Sequence, residues 1–195
     1  MVTGVILLAA GRSTRFGGDK RLAPLPGHQD PVLFTTLKHI QNSGLPCFVV
    51  LHKGDKQLTK RLDQQGVAWG ICPDASLGMG HSLAFGVRST QHWQGWLIAL
   101  ADMPWIQANS YRAIAAALDG HNIVRPVCID AESQHHYGHP VAFSLPFAYQ
   151  LMQCHGDTGA RHLLKQSNLV TELIINDSAI CKDIDKPIDL DRHSQ

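Results

Sequence analysis

Short apolar runs alternate with amphipathic stretches through the first half of the chain. Val5-Ile6-Leu7-Leu8, Cys47-Phe48-Val49-Val50-Leu51 and Trp96-Leu97-Ile98-Ala99-Leu100 are continuous apolar runs of strand length. Runs of that kind predict strands covered on both faces. Between the first two, Val32, Leu33, Thr36, Leu37 and Ile40 recur at helical spacing. Asp30 is the expected N-cap of that helix, Pro31 its first residue and Gly44 its stop. A more polar helix is predicted over 55–65 and closed by Gly66, then a short strand over 67–72, a loop over 73–80 and a helix over 81–88.

The second half is more mixed. An Ala-rich helix is predicted over 109–118, strands over 123–127, 139–143 and 169–175, helices over 146–153 and 158–166, and a terminal helical fragment from Ile188 onward. Pro126 lacks an N–H, so it must interrupt its strand or put it at a sheet edge. Residues 133–137 read as a polar loop. Strands that alternate with helices imply an α/β fold, a three-layer sandwich around a mostly parallel, Rossmann-like sheet with one antiparallel strand. Ligands bind such sheets beyond the carboxyl ends of the strands. That rule brings the loop after Leu8, the residues after Leu100 and the loop at Gly78-Met79-Gly80 to one mouth.

Composition narrows the class. The 195 residues fit one domain over 1–195, with 44% hydrophobic and 17% charged residues, as in an ordinary soluble enzyme. A net charge of +1 offers no general attraction to nucleic acid or to a membrane surface, so any cationic site is local. Cys47, Cys72, Cys128, Cys154 and Cys181 stand singly, with neither a zinc spacing nor an even disulfide framework. The short apolar run at the start has no charged region before it and no stretch reaches spanning length. The expected location is the cytoplasm.

The candidate chemistry is concentrated in the turn after the first strand. Leu8-Ala9-Ala10-Gly11-Arg12-Ser13-Thr14-Arg15-Phe16-Gly17-Gly18-Asp19-Lys20 combines glycines, which allow close backbone approach, with cations that pair with phosphate. Neither the P-loop nor the dinucleotide fingerprint is present in it. Asp102, in Leu100-Ala101-Asp102-Met103-Pro104, ends a buried strand and is a natural carboxylate ligand for Mg²⁺ beside substrate phosphates. Gly78-Met79-Gly80-His81-Ser82-Leu83 leads two glycines into a helix, whose first N–H groups favour an anion. His139 precedes Pro140. With His135 and His136 it could suggest a metal cluster, but their loop carries no evident supporting shell. In Gly156-Asp157-Thr158-Gly159-Ala160-Arg161, Asp157 or Thr158 can cap the following helix. In Asp183-Ile184-Asp185-Lys186-Pro187, the two acids share one side if the chain is extended, as a solvated edge or as part of a metal site.

The order Leu-Ala-Ala-Gly-x-Ser-x-Arg-Phe-Gly-x-x-Lys resembles the signature loop of nucleotidyltransferases that consume an NTP and release pyrophosphate. These are the MobA-like NTP transferases, with the nucleotide-diphospho-sugar transferase type of fold. Within them the chain is most similar to the molybdenum cofactor cytidylyltransferases, because Ala10 stands where guanylyltransferases usually carry Gly. The other five segments follow in the family's order up to Leu190. Lys186 departs from the usual Thr, which leaves no hydroxyl there.

The resemblance implies transfer of CMP from CTP to the molybdenum cofactor, with pyrophosphate released. It assigns Leu8, Ala9, Ala10, Gly11, Arg15, Lys20, Asp74, Gly80 and Ser82 to the nucleotide, and Lys20, Arg15 and Asp102 to catalysis. It gives His139, Asp157 and Arg161 to the acceptor, and Asp102 with Asp185 to Mg²⁺ or Mn²⁺. CTP and molybdenum cofactor are the implied partners, with a client molybdoenzyme or its chaperone as a further one. Three other readings stand beside it: guanylyl transfer from GTP, nucleotidyl transfer to another acceptor such as a sugar phosphate, and a non-catalytic carrier of the cofactor. The acceptor-side segments argue against the second, and Lys20 with Asp102 against the third.

Overall fold

The apolar runs do form the spine of the protein. The structure is a computed structural model that describes residues 2–11, 16–166 and 168–191. Strands β1 (Thr3–Leu8), β2 (Cys47–Leu51), β3 (Ala68–Ile71), β4 (Gly95–Leu100), β5 (Ile123–Ile129), β6 (His135–Tyr137), β7 (Val141–Ser144) and β8 (Val170–Ile174) build one eight-stranded sheet. Its order is β3-β2-β1-β4-β7-β5-β6, with β8 also paired to β5. The helices are α1 (Val32–Asn42), α2 (Lys56–Gln64), α3 (Met79–Ser89), α4 (Ala108–Ala116), α5 (Ala148–Met152) and α6 (Arg161–Gln166).

The two-residue period of β1 divides the core. Val5, Leu7 and Ala9 face one layer with Leu33, Leu37, Leu58, Leu62 and Ile114 from α1, α2 and α4. Ile6, Leu8 and Ala10 face the other with Leu83, Val87, Leu151 and Leu163 from α3, α5 and α6. This is the α/β, three-layer arrangement. Among the described residues no helix is long and apolar enough to cross a membrane.

The sheet has more antiparallel pairing than expected. β1 runs parallel to β2 and β4, β2 to β3, and β5 to β8. β7 is antiparallel to both β4 and β5, and β6 is antiparallel to β5. Part of the expected polar loop is therefore strand: His135–Tyr137 pairs with Val127–Ile129 at the sheet's edge, with its side chains in solvent. Pro126 neither breaks β5 nor lies on an edge strand; Leu173 of β8 pairs with it on one side. Its carbonyl accepts from Gly138 N–H at 2.9 Å on the other side, where β7 gives way to β6 and a missing N–H costs no ladder bond. α1 also starts one residue later than expected. Pro31 is extended and occupies the N-cap position, its carbonyl accepting from Thr35 N–H at 2.9 Å. Asp30 instead reaches Arg61 at 3.4 Å.

Candidate active site

Register brings the first site together. Leu8 pairs with Leu100 across β1 and β4, and Ala101 N–H donates to the Leu8 carbonyl at 3.2 Å. The loop after β1 and the carboxylate after β4 therefore emerge side by side. The cavity above them, about 430 Å³, is lined by Leu8, Ala9, Ala10 and Gly11 from the first loop, and by Lys20 and Arg21. Ala101 and Asp102 form its base, and Ala75, Ser76, Gly78, Met79, Ser82 and Asp157 its far wall. All three segments expected at one mouth line this cavity. Arg12 and Arg15 lie outside the described residues.

At the base of the cavity, Lys20 Nζ donates to Asp102 Oδ2 at 2.6 Å and to the Ile184 carbonyl at 2.7 Å. Asp185 Oδ1 is 3.9 Å from the same ammonium. Ile184 N–H donates to the Asp102 carbonyl at 3.0 Å, which docks the 183–185 segment onto the end of β4. Asp102 Oδ1 is buried and has no hydrogen-bond partner among the described residues. Partial burial, then the charges of Asp102 and Asp185, hold the Asp183 carboxyl above its ordinary range.

Arg21 is the residue that sequence reasoning passed over. Its Nη1 donates to the Ala9 carbonyl at 2.5 Å and to Asp55 Oδ2 at 2.7 Å. Nη2 donates to Asp19 Oδ2 and to Asp55 Oδ1, each at 2.7 Å. Burial alone would lower its pKa; the bonds to the two carboxylates outweigh that and hold it above the ordinary value. Arg21 thus ties the end of β1 to the turn before α2. The available signal was its place inside Asp19-Lys20-Arg21, but Asp55 is distant in sequence.

The start of α3 works differently from the expected anion cradle. Gly80 N–H is taken by the Gly156 carbonyl at 2.7 Å. A Cβ on Gly80 would meet His155 O at 2.6 Å, and one on Gly78, where φ is +123°, would meet Gly156 backbone at 2.4 Å. These glycines dock the 154–157 loop and so position Asp157. Gly80 itself is buried and does not line the cavity, and Asp74 is exposed beside it, just before Ala75 and Ser76. Of Gly11, Gly17 and Gly18, only Gly17 has a left-handed φ, +77°.

A second cavity of about 410 Å³ adjoins the first and shares Leu8, Met79 and Leu100 with it. Its lining includes Leu83, Ile98, Val141 and Phe143, the polar residues His139 and Tyr137, and the cations Arg125, Arg161 and Lys165, but no carboxylate. His139 and Arg161 are thereby brought together, whereas Asp157 lies on the first cavity's wall. His139 N–H donates to the Ile180 carbonyl at 2.8 Å. Burial pushes its imidazole pKa down, against smaller opposing effects of Ile98 and Asp102, and its Nδ1 is buried without a partner among the described residues. Among the described residues, no group of three or more His, Cys, Asp or Glu forms a ready metal cluster.

The whole fold, with its two adjoining cavities, falls within the part of the chain that is similar to known proteins. The chain is 29% identical to the purine catabolism protein PucB of Bacillus subtilis, over 95% of this chain and 93% of that protein. The structure of Rv0371c from Mycobacterium tuberculosis superposes with a TM-score of 0.81 at 26% identity, covering 97% of this chain and 95% of that one. A manganese complex of the same mycobacterial protein superposes at 0.76, also at 26% identity, over 96% and 95% of the two chains. A nucleotidyl transferase from Methanothermobacter shares the fold at a TM-score of 0.77 and 22% identity, over 96% and 94% of the two chains. The sequence model of the MobA-like NTP transferase domain matches residues 5–171, from within β1 into β8. With the strand-end loop, Asp102 and both cavities inside that span, the chain belongs to the MobA-like NTP transferase domain family and is a nucleotidyltransferase.

Proposed function

We propose that this chain transfers CMP from CTP to the terminal phosphate of a molybdopterin-type molybdenum cofactor and releases pyrophosphate. The observation that carries the reading is the pair of contiguous cavities. One has the Lys20–Asp102 pair at its base; the other is rich in cations and free of carboxylates, with an apolar wall. The first suits a nucleoside triphosphate. The second suits an anionic acceptor with a flat apolar body, and the shared wall at Leu8, Met79 and Leu100 is where the two substrates would meet. Ala10 in the first loop favours CTP through the family resemblance.

The chemistry asks little of a base. A phosphate monoester is already an anionic nucleophile near neutral pH. Its oxygen bonds to the α-phosphorus as the bond from that phosphorus to the bridging oxygen of pyrophosphate breaks. Holding the two anions in line is the main task. Backbone N–H groups of Ala10 and Gly11, with Lys20 and Arg15, hold the triphosphate and stabilise the leaving pyrophosphate. Asp74, Gly80 and Ser82 belong to the nucleotide side of this reading, Gly80 through the loop it docks. Asp157 faces the nucleotide, and His139 with Arg161 orients the acceptor.

The oxygens of Asp102 and Asp185 fit a hard divalent cation, Mg²⁺ or Mn²⁺, and the buried Asp102 Oδ1, without a partner among the described residues, is the observation in favour. The manganese complex of the mycobacterial relative supports the same view. Such a cation, when bound, offsets phosphate charge.

The test is pyrophosphate release with molybdenum cofactor and Mg²⁺, comparing CTP, GTP, ATP and UTP. CTP preference is the expected result. GTP preference would keep the chemistry and replace the base. No release with any nucleotide, with intact cofactor and folded protein, would overturn transfer to this acceptor.

A further inference from the structure

Arg125 has an unusual setting for a half-buried cation. It lies on β5 and lines the second cavity. Its guanidinium carbon stands 3.4 Å from the centroid of the Tyr137 ring, a stacked cation–π geometry. Tyr137 is fixed in turn, because its Oη donates to Glu172 Oε1 at 2.7 Å. Three strands thus converge on this stack: β5 with Arg125, β6 with Tyr137 and β8 with Glu172. Yet among the described residues no carboxylate or carbonyl accepts from the guanidinium. Stacking satisfies its face and leaves its N–H edge available, and the cavity it lines holds no acid.

Sheet order sets the distance at which this edge acts. β7 lies between β4, which ends at Asp102, and β5. Neighbouring strands are about 4.8 Å apart, so Arg125 stands on the order of 10 Å to the side of the reacting end. That is too far to hold the attacking phosphate and suits the opposite end of an elongated acceptor. Arg161 is a second cation on the same cavity.

We propose that Arg125, stacked on Tyr137, is an acceptor-specificity residue that grips an anionic or carbonyl oxygen at the end of the acceptor remote from the reacting phosphate. This rests on the reading of the second cavity as the acceptor's. The guanidinium contributes a planar edge in a fixed plane, which an ammonium cannot reproduce. It discriminates against acceptors whose far end has no oxygen to meet it.

The experiment measures binding of molybdenum cofactor to the full chain by ultrafiltration, with molybdenum counted by elemental analysis, and CTP binding in parallel. Arg125→Ala should weaken cofactor binding at least tenfold and leave CTP binding within twofold. Arg125→Lys should fail to restore it, because charge alone is not the determinant. Tyr137→Phe should stay close to the parent and Tyr137→Leu should lose several-fold. Cofactor binding by Arg125→Ala at parental strength would overturn the proposal, as would full rescue by lysine or an equal loss of CTP binding. A parent protein that binds cofactor but releases no pyrophosphate from CTP would sink the transfer reading and leave this one standing. A parent that binds no cofactor would sink both.

Discussion

Lys20 Nζ sits 2.6 Å from Asp102 Oδ2, across 82 residues of sequence, with the two side chains only 15% and 19% exposed. The contact joins the loop after β1 to the end of β4 at the base of the first cavity. Each partner carries a separate expectation. Asp102→Asn keeps the shape and removes the charge, so turnover should fall on the order of a hundredfold or more while CTP affinity changes less. Lys20→Ala should raise the CTP requirement and slow turnover together, because an interaction with the triphosphate is lost before and during reaction. Steady-state pyrophosphate release reads both. Full activity of Asp102→Asn would remove that carboxylate from the chemistry.

Arg21 should matter to stability more than its surface-like composition suggests. It bridges Asp19, Asp55 and the Ala9 carbonyl with its guanidinium largely out of water. Arg21→Met would leave Asp55, 11% exposed, without its counter-charge. Breaking such a pair from one side costs roughly 3–5 kcal/mol. Urea unfolding should report a loss of that order. A loss below about 1 kcal/mol would mean that Asp55 resolvates readily, as exposed pairs do.

Much of this could be read in advance, and the gaps have physical causes. β1, β2 and β4 are buried on both faces, so their apolar runs announce themselves, and their carboxyl ends led to Leu8–Gly11 and Asp102. β6 escaped because His135, His136 and Tyr137 form a short edge strand with every side chain in solvent, leaving no apolar period to detect. Pro126 misled because its missing N–H matters only if a neighbour needs it, and here the partner strand changes at that point. Arg21 and Arg125 escaped for another reason: their partners Asp55 and Tyr137 become neighbours only through the tertiary fold. Gly80 drew notice as part of a glycine pair leading into a helix N-terminus, whereas the close His155 and Gly156 backbone that excludes a side chain there comes from a distant segment.

His139 should give the protein a pH-dependent stability. Burial lowers its pKa below the ordinary 6.5, with Arg161 acting in the same sense and Ile98, Asp102 and Asp183 against it. The folded state therefore keeps the imidazole neutral at a pH where the unfolded chain takes up a proton. Its contribution is present above about pH 6.5 and is lost as the pH falls below it, with a slope of at most about 1.4 kcal/mol per pH unit. Thermal melts of the parent and of His139→Gln between pH 7.5 and 5 test this. The parent should lose more stability on acidification than the variant. Parallel curves would show that His139 charges freely in the folded protein.

Two glycine substitutions should separate scaffold from binding. At Gly80 a methyl group would lie 2.6 Å from the His155 carbonyl oxygen, against backbone that cannot rotate away. Gly80→Ala must displace the 154–157 loop, at a cost of about 1–3 kcal/mol. Asp157 on the first cavity and Thr158 to Arg161 on the second move with it, so on the proposed reading the KM values for both substrates should rise. At Gly11 an added Cβ meets nothing within 4 Å and no left-handed φ is required. Gly11→Ala should melt within about a degree of the parent, since surface changes without such features are nearly neutral. Its new methyl group would nevertheless stand where phosphate approaches the backbone, so its CTP KM should rise alone. An unchanged CTP KM in Gly11→Ala would move the triphosphate away from this turn, and unchanged KM values in Gly80→Ala would detach the docked loop from both substrates.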